Sequence, residues 1–256
     1  MILVEAKKVT KKFGGLAALF EVDFRMSAGE IVSLIGPNGA GKTTFFNLLT
    51  GINPSTSGEI YFSNDRIDGL PPHRIIARGL ARTFQNIRLF PNMTALENVM
   101  VGRHCRTANE VLSALFRTKK FYAEENGIEK SAIEMLSFVG LLPYANELAK
   151  NLPYGDQRKL EIARALASEP RLLLLDEPTA GMNPKEGSDL KALIQKIRAQ
   201  GTSILLIEHQ MHVVMGISDR VVVLDHGLKI AEGRPKEIQN NPQVVEAYLG
   251  SSLSKG

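Results

Sequence analysis

The sequence predicts an α/β fold with a mostly parallel core sheet, an N-terminal antiparallel β part and an inserted α-helical subdomain. Three observations predict it. Up to residue 62, apolar-rich segments are separated by turn residues, which reads as strands. From 94 to 168 the strand signals stop, and charged and apolar residues recur at helical spacing. After Pro170 short apolar runs alternate with helical patterns, the rhythm of parallel strands joined by helices and covered on both faces. The 256 residues are expected to form a single domain over 1–256, with 94–168 a helical subdomain within it.

Residues 3–9 and 18–26 are apolar-rich, and Phe13-Gly14-Gly15 supplies a turn between them. A short strand at 30–35 runs into a Gly-rich loop, followed by a helix over 42–49. A strand is expected at 58–62, with Asn64-Asp65 as its turn. Thr94-Ala95-Leu96-Glu97 is a capping-box pattern, and helices are expected over 124–138 and 156–168. Beyond these, 172–175 is a buried strand, and Asn183-Pro184 opens a helix running to about Gln200. Strands at 203–207 and 220–224 follow, the second closed by an Asp225-His226-Gly227 turn. The terminal segment 251–256 reads as loose.

With 44% hydrophobic and 23% charged residues, the composition is that of a globular protein and excludes a disordered chain. The net charge of +4 is small and its Lys and Arg are dispersed, which argues against a nucleic-acid partner. The densest run, Arg117-Thr118-Lys119-Lys120, reads as a solvated face. Cys105 is the single cysteine, so no intramolecular disulfide forms and a reducing compartment is expected. No apolar run reaches the ~20 residues of a transmembrane helix. The N-terminal residues lack the regions of a signal peptide. The expectation is a cytosolic protein whose membrane association comes through a partner.

Gly36-Pro37-Asn38-Gly39-Ala40-Gly41-Lys42-Thr43 fits G-x-x-x-x-G-K-[ST] in full, between a strand and a helix. Glycines let successive N–H groups turn inward around a phosphate chain, and the helix N-terminus adds to that anion field. Lys42 is expected to reach the β- and γ-phosphates, Thr43 to ligate Mg²⁺ and Thr44 to extend the nucleotide contacts. The run Leu172-Leu173-Leu174-Leu175-Asp176-Glu177 carries an acidic pair to the carboxyl end of a buried strand, where ligands of open α/β sheets sit. Asp176 is placed to hold the Mg²⁺ shell and Glu177 to act as general base on an attacking water.

Five further segments, in order, resemble the ABC ATPase family across essentially the whole chain. Phe13 stands where that family places an aromatic on adenine, although a core aromatic beside a turn is the plainer alternative. Phe84-Gln85 resembles the loop whose Gln approaches Mg²⁺ and the attacking water. Leu152-Pro153-Tyr154-Gly155-Asp156-Gln157 occupies the place of the signature motif, Thr179-Ala180-Gly181-Met182-Asn183 that of the D-loop, and Glu208-His209 that of the switch histidine. His73, His104, His212 and His226 read as structural or surface residues. The resemblance implies a P-loop NTPase of the ABC ATPase fold, a Mg²⁺-dependent ATPase that works as a dimer. Each ATP would lie between one P-loop and the partner's signature residues Pro153, Tyr154, Gly155, Asp156 and Gln157.

The signature departs from Leu-Ser-Gly-Gly-Gln: Pro153 replaces Ser, and Tyr154 and Asp156 replace Gly and Gln. Proline offers neither hydroxyl nor N–H, so weaker ATP-driven dimerisation is expected. Asn183 stands where the D-loop usually has Asp. A finer likeness lies in residues 82–90 and 94–101, the Tyr-Gly-Asp-Gln signature, the long 103–126 segment and the tail 233–250. Together these resemble the ATPases of branched-chain amino acid importers, with urea or amide importers and lipopolysaccharide export as related alternatives. The resemblance implies two membrane permease subunits, a second ATPase subunit and, indirectly, a periplasmic or extracellular substrate-binding protein. The chain is expected at the cytoplasmic side of the membrane. Ile87, Leu89, Phe90 and Met93 form either an apolar patch for a permease helix or part of the subdomain core.

Overall fold

The computed structural model describes residues 1–106 and 119–253. Arg117 and Thr118 of the basic run, half of the 103–126 segment and the last three residues of 251–256 lie outside the described residues.

The chain opens with β1 (Ile2–Phe13) and β2 (Leu16–Ser27), an antiparallel hairpin, then β3 (Ile31–Ile35) and α1 (Lys42–Leu49). Next come β4 (Ser57–Phe62), β5 (Asp65–Arg66), α2 (Pro72–Ala77) and β6 (Leu80–Arg82). The helical stretch holds α3 (Ala95–Arg103), α4 (Lys119–Val139) and α5 (Tyr154–Leu166), with short 3₁₀ turns between them. The remainder is β7 (Leu172–Asp176), α6 (Pro184–Ala199), β8 (Ser203–Ile207), α7 (Met211–Ile217), β9 (Arg220–Asp225), β10 (Leu228–Gly233), α8 (Pro235–Gln239) and α9 (Pro242–Leu253).

Two sheets result. A four-stranded antiparallel sheet runs β2-β1-β4-β5, and a six-stranded sheet runs β10-β9-β3-β8-β7-β6, parallel except for β10. Strands β3, β7 and β8 are buried at every residue, as a parallel sheet covered on both faces requires. Their side chains alternate between two cores. Leu172, Leu174, Leu205 and Ile207 pack with α1 and the antiparallel sheet, whereas Leu173, Leu175, Ile204 and Leu206 pack with α5, α6 and the helical stretch. A third, smaller cluster joins Ile35, Val221 and Val223 to α7, α8 and α9.

Caps fix the helix starts. Thr94 and Glu97 form the expected capping box at α3, and Asn183 and Glu186 form a second at α6. The first two strands are longer than expected. The shortfall has a cause: register shifts after Ala6 and Val9, with left-handed backbone at Lys8 and Glu21, break the alternation that marks a strand. The turn after β4 also differs from expectation. Ser63 and Asn64 take the positive φ angles, and Asp65 already belongs to β5.

Candidate functional site

The site is built on the carboxyl ends of β3, β7 and β8. Strand β3 delivers Gly36 into the loop before α1. A Cβ at Gly36 would lie 2.0 Å from Leu224 O, and one at Gly41 2.6 Å from Ala18 O, at φ angles of +146° and +101°. Only glycine fits either place, so the loop is pressed against β9 and β2 and its curvature is fixed by neighbours. Asn38, Gly39 and Thr43 face solvent while Ala40 and Lys42 are buried. The hydroxyl of Tyr248 on α9 accepts a hydrogen bond from Gly36 N–H at 2.9 Å.

Lys42 Nζ donates to Gly36 O at 2.7 Å and Pro37 O at 2.8 Å, spanning its own loop. Burial pushes its ammonium below the usual lysine range, while Glu177 and Asp176 pull it back up. No acidic residue stands in the first turn of α1, so the free N–H groups of that turn and Lys42 supply the positive field of the loop.

At the end of β7 the backbone separates the two acidic residues. Asp176 stays in the strand with its side chain 4% exposed, and its Oδ2 accepts from Arg82 Nη2 at 2.7 Å. Glu177 turns out through a left-handed φ of +48°, a conformation costly for a non-glycine residue. Its Oε2 accepts from Gln85 Nε2 at 2.9 Å, and its Oε1 lies 2.5 Å from His209 Nε2. Gln85, Glu177 and His209 therefore meet at one carboxylate. Behind His209, Glu208 is buried. Its Oε1 accepts from Thr179 Oγ1 at 2.6 Å, its Oε2 has no partner among the described residues, and burial raises its carboxyl above the usual range.

The signature-like segment lies apart from this cluster. Pro153 is the N-cap of α5 without a side-chain cap, and Gly155 abuts Glu186 of α6 closely enough that a Cβ would sit 2.9 Å from Glu186 Oε1. Gln157 Nε2 donates to Leu152 O at 2.8 Å, Lys159 Nζ donates to Asp156 Oδ1 at 3.0 Å, and Tyr154 packs over Gly181. The fully buried Arg158 joins the two regions. It donates to Phe84 O (2.6 Å), Gln85 O (2.8 Å), Glu161 Oε2 (3.0 Å) and Tyr154 Oη (3.1 Å), and Glu161 Oε1 accepts from the N–H groups of Phe84 and Arg88.

Phe13 is 47% exposed at the end of β1, with Lys11 Nζ 4.8 Å from its ring centre, so it is not a core aromatic. Leu89 packs at the edge of the helical core, Ile87 and Met93 are half-buried, and Phe90 is exposed. The four other histidines are all exposed. The sequence does not point to Arg158 or Glu161, and it gives Arg82, Glu208 and Tyr248 only as members of motif segments, with no role of their own. The one available signal was a charged pair, Arg158 and Glu161, on a helix face otherwise facing inward.

The donors suit a nucleotide and a hard cation. The loop offers N–H groups and a buried ammonium to phosphate. Thr43, Gln85 and Asp176 offer only oxygen ligands, which suits Mg²⁺. Among the described residues no group of three or more His, Cys, Asp or Glu could hold a metal alone. A cation held largely by phosphate oxygens and water fits that sparse set.

Known proteins resemble this chain along nearly its whole length. The ABC transporter family profile matches residues 19–180, and a second profile, branched-chain amino acid ATP-binding cassette transporter, matches 229–253. The high-affinity branched-chain amino acid transport ATP-binding proteins BraF of Pseudomonas aeruginosa and LivG of Escherichia coli K12 are each 47% identical over 251 residues, covering 98% of both chains. A probable LivG of Archaeoglobus fulgidus is 36% identical over 255 residues, all of this chain and 98% of its own. The crystal structure of the ADP conformation of an ABC transporter cassette superposes with a TM-score of 0.85 at 34% identity, covering 98% of this chain and 99% of that one. A nucleotide-free cassette gives 0.85 at 33% identity, covering 97% and 99%. The chain therefore belongs to the ABC transporter family and is one of its ATP-binding, ATP-hydrolysing cassettes.

Proposed function

We propose that this cassette is the ATP-hydrolysing subunit of an importer for branched-chain amino acids. The hydrolytic reading is carried by one observation, the Glu177 carboxylate held between Gln85 Nε2 and His209 Nε2. A general base needs an oriented carboxylate within reach of water, and two flanking side chains hold this one at the sheet's edge. In this reading Gly36, Pro37, Asn38, Gly39, Ala40, Gly41, Lys42, Thr43 and Thr44 wrap the phosphates and Phe13 stacks on adenine. Glu177 takes the proton of the attacking water. His209 and Gln85 keep Glu177 aimed and approach the γ-phosphate and the water. When bound, Mg²⁺ neutralises charge developing on the phosphate oxygens; Thr43, Asp176 and Gln85 would hold it.

The helical stretch 94–168 carries the signature residues Pro153, Tyr154, Gly155, Asp156 and Gln157 toward the ATP of a second cassette. Each motif occurs once in the chain, so one copy supplies half of each composite site. The cargo assignment rests on the names of BraF and LivG and on the profile over 229–253. No helix among the described residues is long and apolar enough to cross a membrane. We therefore assign the transport path to two permease subunits, with this chain peripheral on their cytoplasmic side and a substrate-binding protein delivering cargo from the other.

The test is a pull-down of tagged protein from gently solubilised native membranes, with every co-purifying protein identified. Two polytopic membrane proteins and a second small ATPase are expected, and the associated binding protein should then bind leucine, isoleucine or valine. Recovery of ribosomal or nucleic-acid proteins without a membrane partner would sink the transporter reading.

A further inference from the structure

We infer that Arg82 is a positioning residue for Asp176, locking the metal-bearing carboxylate to the helix that follows the phosphate loop. The inference rests on the ATPase reading above. Arg82 ends β6, and its side chain is 5% exposed. Nη2 donates to Asp176 Oδ2 at 2.7 Å, and Nη1 donates to Asn47 Oδ1 on α1, also at 2.7 Å. The guanidinium lies 5.4 Å from the ring centre of Phe46 and 5.0 Å from that of Phe84. Three functional segments thus meet at one cation: the phosphate-loop helix, the end of β7 and the start of the loop bearing Gln85.

The chemistry explains the arrangement. A carboxylate as buried as Asp176 is costly unless a cation pairs with it. Lysine would neutralise it as a point charge, whereas the planar fork of arginine also fixes direction. Each arm of Arg82 holds one partner, and its Nε has none among the described residues. The Phe46 and Phe84 rings lie within cation–π range of the guanidinium. One arm anchors the carboxylate through Oδ2, and on this proposal that contact sets the plane in which Asp176 would meet a Mg²⁺ shell. The second arm ties that plane to Asn47, one helical turn beyond Thr43, the other expected oxygen ligand. The spacing between the two ligands is then set by Arg82.

The test uses the full-length protein, a fluorescent ATP analogue, and three variants: Arg82→Met, Arg82→Lys and Asn47→Ala. Affinity is measured in EDTA, and Mg²⁺ is then titrated to find the concentration that half-saturates the metal-dependent change. Arg82→Met keeps the stem between the rings but removes both arms. It should raise the half-saturating Mg²⁺ about tenfold, the scale of a charge-assisted hydrogen bond, with EDTA affinity within about twofold of wild type. Arg82→Lys should recover to within about threefold, and Asn47→Ala, which spares the ion pair, should shift Mg²⁺ by about threefold. A merely structural arginine would lower both affinities together. That result, or an unchanged Mg²⁺ midpoint, overturns the proposal. Where Arg82→Met does not fold, Arg82→Lys and Asn47→Ala decide. Failure of the ATPase reading looks different: wild-type protein itself would show no Mg²⁺-dependent change.

Discussion

Helices α1 and α5 both begin where an anion is expected, yet their first turns are built on opposite lines. Helix α1 starts behind a left-handed Gly41, has no acidic residue in its first turn, and carries a buried Lys42 over its mouth. Helix α5 starts behind Pro153 with no side-chain cap, has Asp156 in its first turn, and has the Glu186 carboxylate against Gly155. Lys159 pairs with that Asp156, while the buried Arg158 donates to the carbonyls of Phe84 and Gln85. Helix α1 therefore presents a complete anion site. Helix α5 has one carboxylate paired with Lys159 and another against Gly155, and its buried Arg158 connects it to the loop carrying Gln85. On the proposed function, charge on the nucleotide falls to the cassette's own loop and the signature end contributes through position.

That contrast can be broken at four places, with Asp156 as a control. Glu177→Gln should lower steady-state ATP hydrolysis by about 10²–10⁴, the range of a lost general base, while ATP remains bound and the closed dimer accumulates. Normal turnover would move the chemistry away from the α1 side. Lys42→Ala should weaken binding of a fluorescent ATP analogue to the isolated cassette by about 10–100-fold, as for a charged hydrogen-bond partner. Asp156→Asn should leave that monomer affinity alone; equal losses in the two variants would erase the distinction between the helices.

The smaller effects lie at the signature end. Pro153→Ser supplies the missing cap and should stabilise the protein by about 1 kcal/mol in thermal melts. It should also strengthen ATP-dependent dimerisation in sedimentation. A higher melting temperature with unchanged dimerisation would limit Pro153 to folding. Glu186→Gln keeps an oxygen for the Asn183 cap but removes a charge beside Gly155. A gain in ATP-dependent dimerisation worth about 0.3–1 kcal/mol is expected, fading with added salt. An effect unaffected by salt would not be electrostatic.

The parts legible in the sequence are those encoded by neighbours in the chain. The phosphate loop is eight consecutive residues, β7 is an unbroken apolar run, and the Thr94–Glu97 capping box spans four positions, so local chemistry announces each. Long-range polar pairings had no such signal. Arg82 and Asp176 are 94 residues apart, and Gly36 and Tyr248 are 212 apart. Nothing in a sequence tells which of many carboxylates a given arginine will face. Strand β6 escaped notice because three residues carry too little periodicity, and β10 because an edge strand with half-exposed faces shows no clean alternation. For Phe13 the sequence allows two roles, and only its exposure separates it from the core.

The left-handed turn at Glu177 has a consequence for anyone selecting variants of this cassette. Asparagine tolerates that backbone better than glutamate, and glycine suffers no Cβ clash there, so relief of roughly 1–2 kcal/mol is available at this position. Glu177→Asn or Glu177→Gly should melt higher than wild type while losing hydrolysis. A screen for thermostability alone would favour proteins that hold nucleotide and never release the transport cycle. Soundness of fold and fitness for work pull in opposite directions at one φ angle.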